Sequence, residues 1–102
     1  SYEAGVELLI RGFGGRFARE GQPWIRTSGD TSGVDWDMVP EYIGGLSGGE
    51  RRYLMLAASL AGGVEVSLDA TFSSLDIQDQ DRVLSALRHA GGRRFWPVEN
   101  TE

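Results

Sequence analysis

The strongest constraint on this chain is the run from Arg51 to Ala61, which is apolar on nearly every side and has glycine pairs at or near both ends. Tyr53, Leu54, Met55, Leu56, Ala57, Ala58 and Leu60 leave a helix almost no polar face, and a helix of that kind is a buried one. Its start is marked by a tight polar corner, Leu46-Ser47-Gly48-Gly49-Glu50, and serine is a preferred N-cap. Its end is marked by Gly62-Gly63, which breaks the chain.

The corner also has a chemistry. Two glycines beside a capping serine let backbone N–H groups approach a ligand closely, and the start of a helix adds partial positive charge, so the corner is suited to holding a phosphate. Beyond the glycine pair, Val64-Glu65-Val66-Ser67-Leu68 alternates as a short strand does and ends on Asp69. A carboxylate at the C-terminal end of a strand in an open α/β sheet lies where ligands bind, and Mg²⁺ prefers such hard oxygen donors. Asp69 is therefore a metal candidate.

Taken together, Leu46 to Asp76 resembles the second half of an ATP-binding cassette (ABC) ATPase. Leu46-Ser47-Gly48-Gly49-Glu50 is similar to the signature motif, Val64 to Asp69 to the Walker B strand, and Ser74-Leu75-Asp76 to the D-loop. Leu46 to Asp69 is 23 positions and Asp69 to Asp76 seven, about the family's spacing. The resemblance implies that Ser47, Gly48, Gly49 and Glu50 form a nucleotide-binding corner, with Ser47 and the two glycine amides contacting the γ-phosphate of ATP held mainly by another subunit. It further implies that Asp69 holds Mg²⁺ through water and that Ser74 and Asp76 sit at a dimer seam.

Two departures bear on activity. The position after the Walker B aspartate, where the family places a glutamate as general base, is Ala70, and losing such a group typically slows a reaction by about 10²- to 10⁴-fold. The pattern GxxxxGK[ST] that cradles phosphates is absent, and the chain contains no lysine. The lone histidine, His89, falls too early for the family's switch histidine and is expected at a surface or helix end. Pro97 to Asn100 fill the region where that switch belongs.

Composition narrows the remaining classes. A chain of 102 residues makes one small domain. The absence of cysteine excludes disulfides and thiolate metal sites, and no apolar run is long enough to span a bilayer, so a cytoplasmic protein with no membrane insertion is the expectation. A net charge of −5 argues against a basic phosphate-backbone binder, and Arg51-Arg52 and Arg93-Arg94 are expected to be solvated or structurally paired.

Along the rest of the chain, Ser1 to Gly5 is short, polar and expected to fray. Val6 to Ile10 can be a strand or the end of a longer helix, and with Phe17, Trp24 and Ile25 it makes Val6 to Arg26 a hairpin-like unit. The glycines at 12, 14 and 15 follow no phosphate-loop spacing. Thr27 to Gly33 is expected to be a linker. Asp30 to Glu41 matches a calcium loop only at its two ends, because Gly33 occupies the fourth position instead of the sixth. Pro40 disfavours helix at Val39. Asp79 to His89 is expected to be an amphipathic helix with Val83, Leu84, Leu87 and Ala90 inward and Asp79, Asp81, Arg82 and Arg88 outward, ended by Gly91-Gly92, and Arg94 to Val98 another strand.

The expected fold is α/β: a P-loop-NTPase-like lobe lacking the P-loop, with a strand pair and linker over 1–45 and signature helix, Walker B strand, D-loop and following helix over 46–102. Only 45 residues precede the signature, a layout similar to the C-terminal head lobe of SMC and recombination-repair ATPases. That likeness implies ATP and Mg²⁺ shared with a P-loop-bearing lobe or subunit, with DNA as an indirect partner. The alternatives are a fragment of a transporter-type nucleotide-binding domain and a degenerate, non-catalytic ABC-like interaction module.

Overall fold

The computed structural model describes residues 1–91, and they are arranged around the apolar run. That run lies within helix α3, Gly48–Gly62, in which Tyr53, Leu54, Leu56, Ala57 and Ala58 are buried. Before it come α1 (Tyr2–Arg11), a 3₁₀ stretch (Phe13–Ala18), strands β1 (Ile25–Ser28) and β2 (Thr31–Val34), a second 3₁₀ turn (Trp36–Met38) and the short α2 (Val39–Tyr42). After it come α4 (Leu68–Phe72) and α5 (Ile77–Ala90). The fold is mixed α/β, with helices and one two-stranded antiparallel sheet among the described residues.

Val6 to Ile10 belongs to α1, and this removes the expected hairpin over Val6 to Arg26. The Ser1 hydroxyl accepts from the Ala4 N–H, and Glu7 pairs with Arg11 one turn on, at 2.8 Å. Ala4, Gly5, Leu8 and Leu9 then share a buried face against α3. Residues 1–5 are thus the capped first turn of a helix instead of a frayed end. Gly5 is needed here because a methyl group on it would lie 2.4 Å from the Ala61 Cβ. Gly12 lies under the Tyr53 ring in the same way, while the Tyr53 hydroxyl donates to the Leu8 carbonyl at 2.7 Å.

A strand pair does form, but further on: β1 begins at Ile25, where a strand is expected, and the pair runs through the expected linker over Thr27 to Gly33. Ile25 pairs with Val34 and Ser28 with Thr31 across a two-residue loop, where Gly29 takes φ +61°, a conformation that glycine adopts without strain. Trp24 and Phe17 sit beneath it, the indole N–H donating to the Phe17 carbonyl at 2.8 Å. At Val39 the helix forms despite Pro40, since a proline in the first turn removes only an N–H that has no helical partner there.

The largest departure follows α3. Val64 to Leu68 forms no strand: among the described residues the single ladder is that of β1 with β2, and Leu68 already opens α4, capped by Ser67. The alternation is real, with Val64 and Val66 partly buried against the core and Glu65 and Ser67 exposed. What is missing is a neighbouring strand to supply hydrogen bonds, without which an extended segment gains no ladder. Helix α5 forms as expected, but Leu84, Leu87 and Ala90 face outward and the buried positions are Asp79, Val83 and Ala86. Arg94 to Val98 lies outside the described residues.

Candidate functional site

The corner at Ser47 is a complete capping box. The Ser47 hydroxyl accepts from the Glu50 N–H at 3.2 Å, and the Ser47 N–H donates to Glu50 Oε1 at 3.0 Å. Two of the orphan donors at the start of α3 are thereby satisfied, which leaves the N–H groups of Gly48 and Gly49 to a further acceptor. Nothing lies within 4 Å of where a Gly49 side chain would begin, and the Arg52 guanidinium stands 3.0 Å from the corresponding point on Gly48. Helix dipole, two spare N–H groups and a nearby guanidinium together make an anion-accepting geometry.

Glu50 is turned inward upon this corner. Its second carboxylate oxygen receives the Arg16 guanidinium, delivered from the 3₁₀ stretch beside α1, and Arg16 also lies 4.4 Å over the Phe17 ring. The Ser47 backbone hydrogen bond, followed by the bond from Arg16, holds the Glu50 carboxyl below its ordinary range. Both carboxylate oxygens therefore have protein partners, and Glu50 shapes the corner more than it offers itself to a ligand. Arg16 had no local signal in the sequence, being 34 residues from the glutamate it meets.

Asp69 is exposed in the first turn of α4, and its backbone carbonyl accepts from Ser73. Among the described residues no three His, Cys, Asp or Glu side chains gather as a metal cage. One exposed carboxylate fits Mg²⁺ held mostly by water and phosphate oxygens, the usual mode for this ion, and does not fit an all-protein site. The Ala70 N–H donates to the Ser67 hydroxyl, and its methyl side chain accepts no proton.

Ser74 and Asp76 occupy the turn between α4 and α5. The Ser74 hydroxyl donates to the Ala70 carbonyl at 3.0 Å, and Asp76 caps α5 by accepting from the Asp79 N–H at 2.8 Å. Asp79 is buried, and its carboxylate takes an Arg82 N–H at 2.9 Å. Burial first, and the Asp76 charge second, push the Asp79 carboxyl upward, with Arg82 opposing. Asp79 is thus not the outward residue its charge suggests, and the spacing Asp76-x-x-Asp79, which mirrors Ser47-x-x-Glu50, marks the same cap position. His89 is the helix-end residue expected, yet its side chain is only 11% exposed and its Nε2 lies 3.5 Å from Glu3 of α1.

A shallow hollow of about 400 Å³ lies elsewhere, lined by Arg26, Asp35, Trp36 and Asp37 with Val34 and Gly62, and none of the corner residues borders it. No helix among the described residues is long and apolar enough to cross a membrane. Compared with family models, with curated proteins and with solved structures, the chain matches none.

Proposed function

We propose that this chain is the signature-bearing lobe of an ABC-type ATPase, contributing Ser47, Gly48, Gly49, Glu50, Asp69 and the Ser74–Asp76 turn to a composite ATP site completed by a P-loop-bearing partner. The observation that supports the reading is the capping box at Ser47, which opens a 15-residue helix and leaves the Gly48 and Gly49 N–H groups for an anion. In this reading Ser47 and those amides bind the γ-phosphate of the partner's nucleotide. Glu50 keeps the helix end rigid, Asp69 orients water around Mg²⁺, and Ser74 and Asp76 meet the partner across the seam. Mg²⁺ would neutralise phosphate charge there.

With Ala70 where a general base belongs and no lysine in the chain, the output is nucleotide-dependent association, and hydrolysis by this half of the site is slow or absent. The setting is cytoplasmic DNA repair or chromosome maintenance, by the likeness of layout to the repair-type head lobe.

A second reading, a degenerate interaction module, draws on the failure of Val64 to Leu68 to form a strand and on Ala70. One experiment separates them: the mass of the particle by light scattering, with and without Mg·ATP, alone and with a P-loop-bearing lobe. Assembly that requires both ATP and the partner, and that Ser47→Arg abolishes, supports the composite site. Partner binding that ignores both ATP and Ser47→Arg supports the module, and mass that stays flat in every mixture rules out the composite site.

A further inference from the structure

Helix α5 carries an outward face that neither the corner nor the turn before it uses. Ile77 is 74% exposed, and Leu84 and Leu87 are each 44% exposed. Successive residues of a helix turn by about 100°, so residues seven apart lie within about 20° of one another. Ile77 and Leu84 accordingly fall on one line, Leu87 beside it, and Asp81 and Arg88 on a parallel line along the flank. This is part of the pattern of a coiled-coil seam, with apolar positions seven and three apart, the polar Gln80 between the first two, and charges at the flanking position. The buried line of the same helix, through Asp79, Val83 and Ala86, points the opposite way.

The flanking charges say what fits. Asp81 and Arg88 are exposed and form no ion pair among the described residues. They are opposite in sign and seven residues apart on one line. If two such faces are laid antiparallel with Leu84 of each copy against Leu87 of the other, Asp81 of each falls opposite Arg88 of the other. The face is thus complementary to itself, apolar at the centre and ion-paired twice at the rim. A parallel arrangement would instead bring Asp76 of one copy beside Asp81 of the other, which is repulsive. Antiparallel packing also sets the two helix dipoles head to tail.

We propose that the outward face of α5 is a homodimerisation surface, on which a second copy of this chain packs antiparallel through Leu84 and Leu87 with reciprocal Asp81–Arg88 pairs. In that register residues 81–90 of the two helices overlap, over about 15 Å, with Ile77 beyond the overlap; this is well short of a standard interface, so the dimer is weak and forms at high protein concentration. The surface is independent of the nucleotide reading, since it shares no residue with the Ser47 corner. Neither ATP nor Ser47→Arg shifts it.

The test is sedimentation equilibrium of the chain over a wide concentration range, for the wild type, Asp81→Arg and Arg88→Asp separately, and an equimolar mixture of the two variants. All the altered positions are exposed, and circular dichroism confirms that the helices are retained. The wild type should self-associate, and each single reversal should move its midpoint to about tenfold higher concentration, because two like-charged pairs replace two attractive ones. The mixture should recover association, since one copy then carries both arginines and the other both aspartates. A wild type that stays monomeric throughout, single reversals that change nothing, or a mixture no better than its components would each overturn the proposal.

Discussion

Helices α3 and α5 begin by the same local rule and meet opposite surroundings. Ser47 and Asp76 each cap a helix by accepting from the N–H three residues on, at 3.2 and 2.8 Å, and each is followed at that position by a carboxylate, Glu50 and Asp79. Glu50 is long enough to reach back to the cap's own N–H, its cap is neutral, and Arg16 adds a positive charge, so the carboxylate is held ionised. Asp79 is one methylene shorter, its cap is itself anionic, and burial removes water from it, so ionisation is disfavoured despite Arg82. The identity of the cap and the depth of the site, not the spacing, decide whether the start of a helix welcomes a carboxylate. The bodies of the two helices differ in the same sense, α3 packed on several sides and α5 on one.

The largest test of that contrast is truncation in the two helices. Leu54 in α3 is fully buried, and Leu54→Ala should lower unfolding free energy by about 2–5 kcal/mol, transfer and cavity terms together. Leu84→Ala in α5 should lower it by less than about 1 kcal/mol, since the side chain is already 44% in water. Urea unfolding of both variants at low protein concentration measures the difference. Similar losses at the two positions would mean that α5 is packed on both sides, against the outward face described above.

The start and burial of α3 were legible because they are local: a serine, two glycines and a glutamate three positions later define the box, and a helix apolar on most sides has one solution. That Ser47 and Glu50 close on each other and leave the Gly48 and Gly49 N–H groups open was legible for the same reason. Val64 to Leu68 was misread because alternation reports which side chains are buried and says nothing about whether a neighbouring strand exists. Val6 to Ile10 was ambiguous as a short apolar run, and the deciding features, the Ser1 cap and the Glu7–Arg11 pair, lie at its edges. The inward face of α5 was assigned by apolar content alone, which put Leu84 and Leu87 inside and Asp79 outside. Arg16 could not be found from sequence, since only the tertiary fold brings it to Glu50.

A middle-sized test compares the caps themselves. Ser47→Ala removes an acceptor for the Glu50 N–H and should destabilise by about 1 kcal/mol. Asp76→Ala removes an equivalent acceptor but also the negative charge that works against Asp79, so its loss should be about half as large. Thermal unfolding of the two variants at neutral pH gives the order. A greater loss at Asp76 would show that the Asp76–Asp79 repulsion is negligible in the folded chain.

The smallest effect, and the sharpest on sign, is the pH dependence of the two carboxylates. The folded pKa of Glu50 is lowered, so its contribution to stability is present above the ordinary carboxylate range and is lost as pH falls through its folded value. Replacing it by Gln should therefore destabilise at neutral pH, with the gap to wild type closing on acidification. The folded pKa of Asp79 is raised, so its favourable contribution is present below the ordinary aspartate range and is lost as pH rises through the folded value. Asp79→Asn should accordingly gain on wild type as pH rises from acid to neutral, to an extent reduced by the lost bond from Arg82. Melting temperatures of the three proteins across the acidic range would show two difference curves of opposite slope. Two curves sloping the same way would mean that the two helix starts treat their carboxylates alike, and that the neutral cap at Ser47 and the anionic cap at Asp76 do not set the difference.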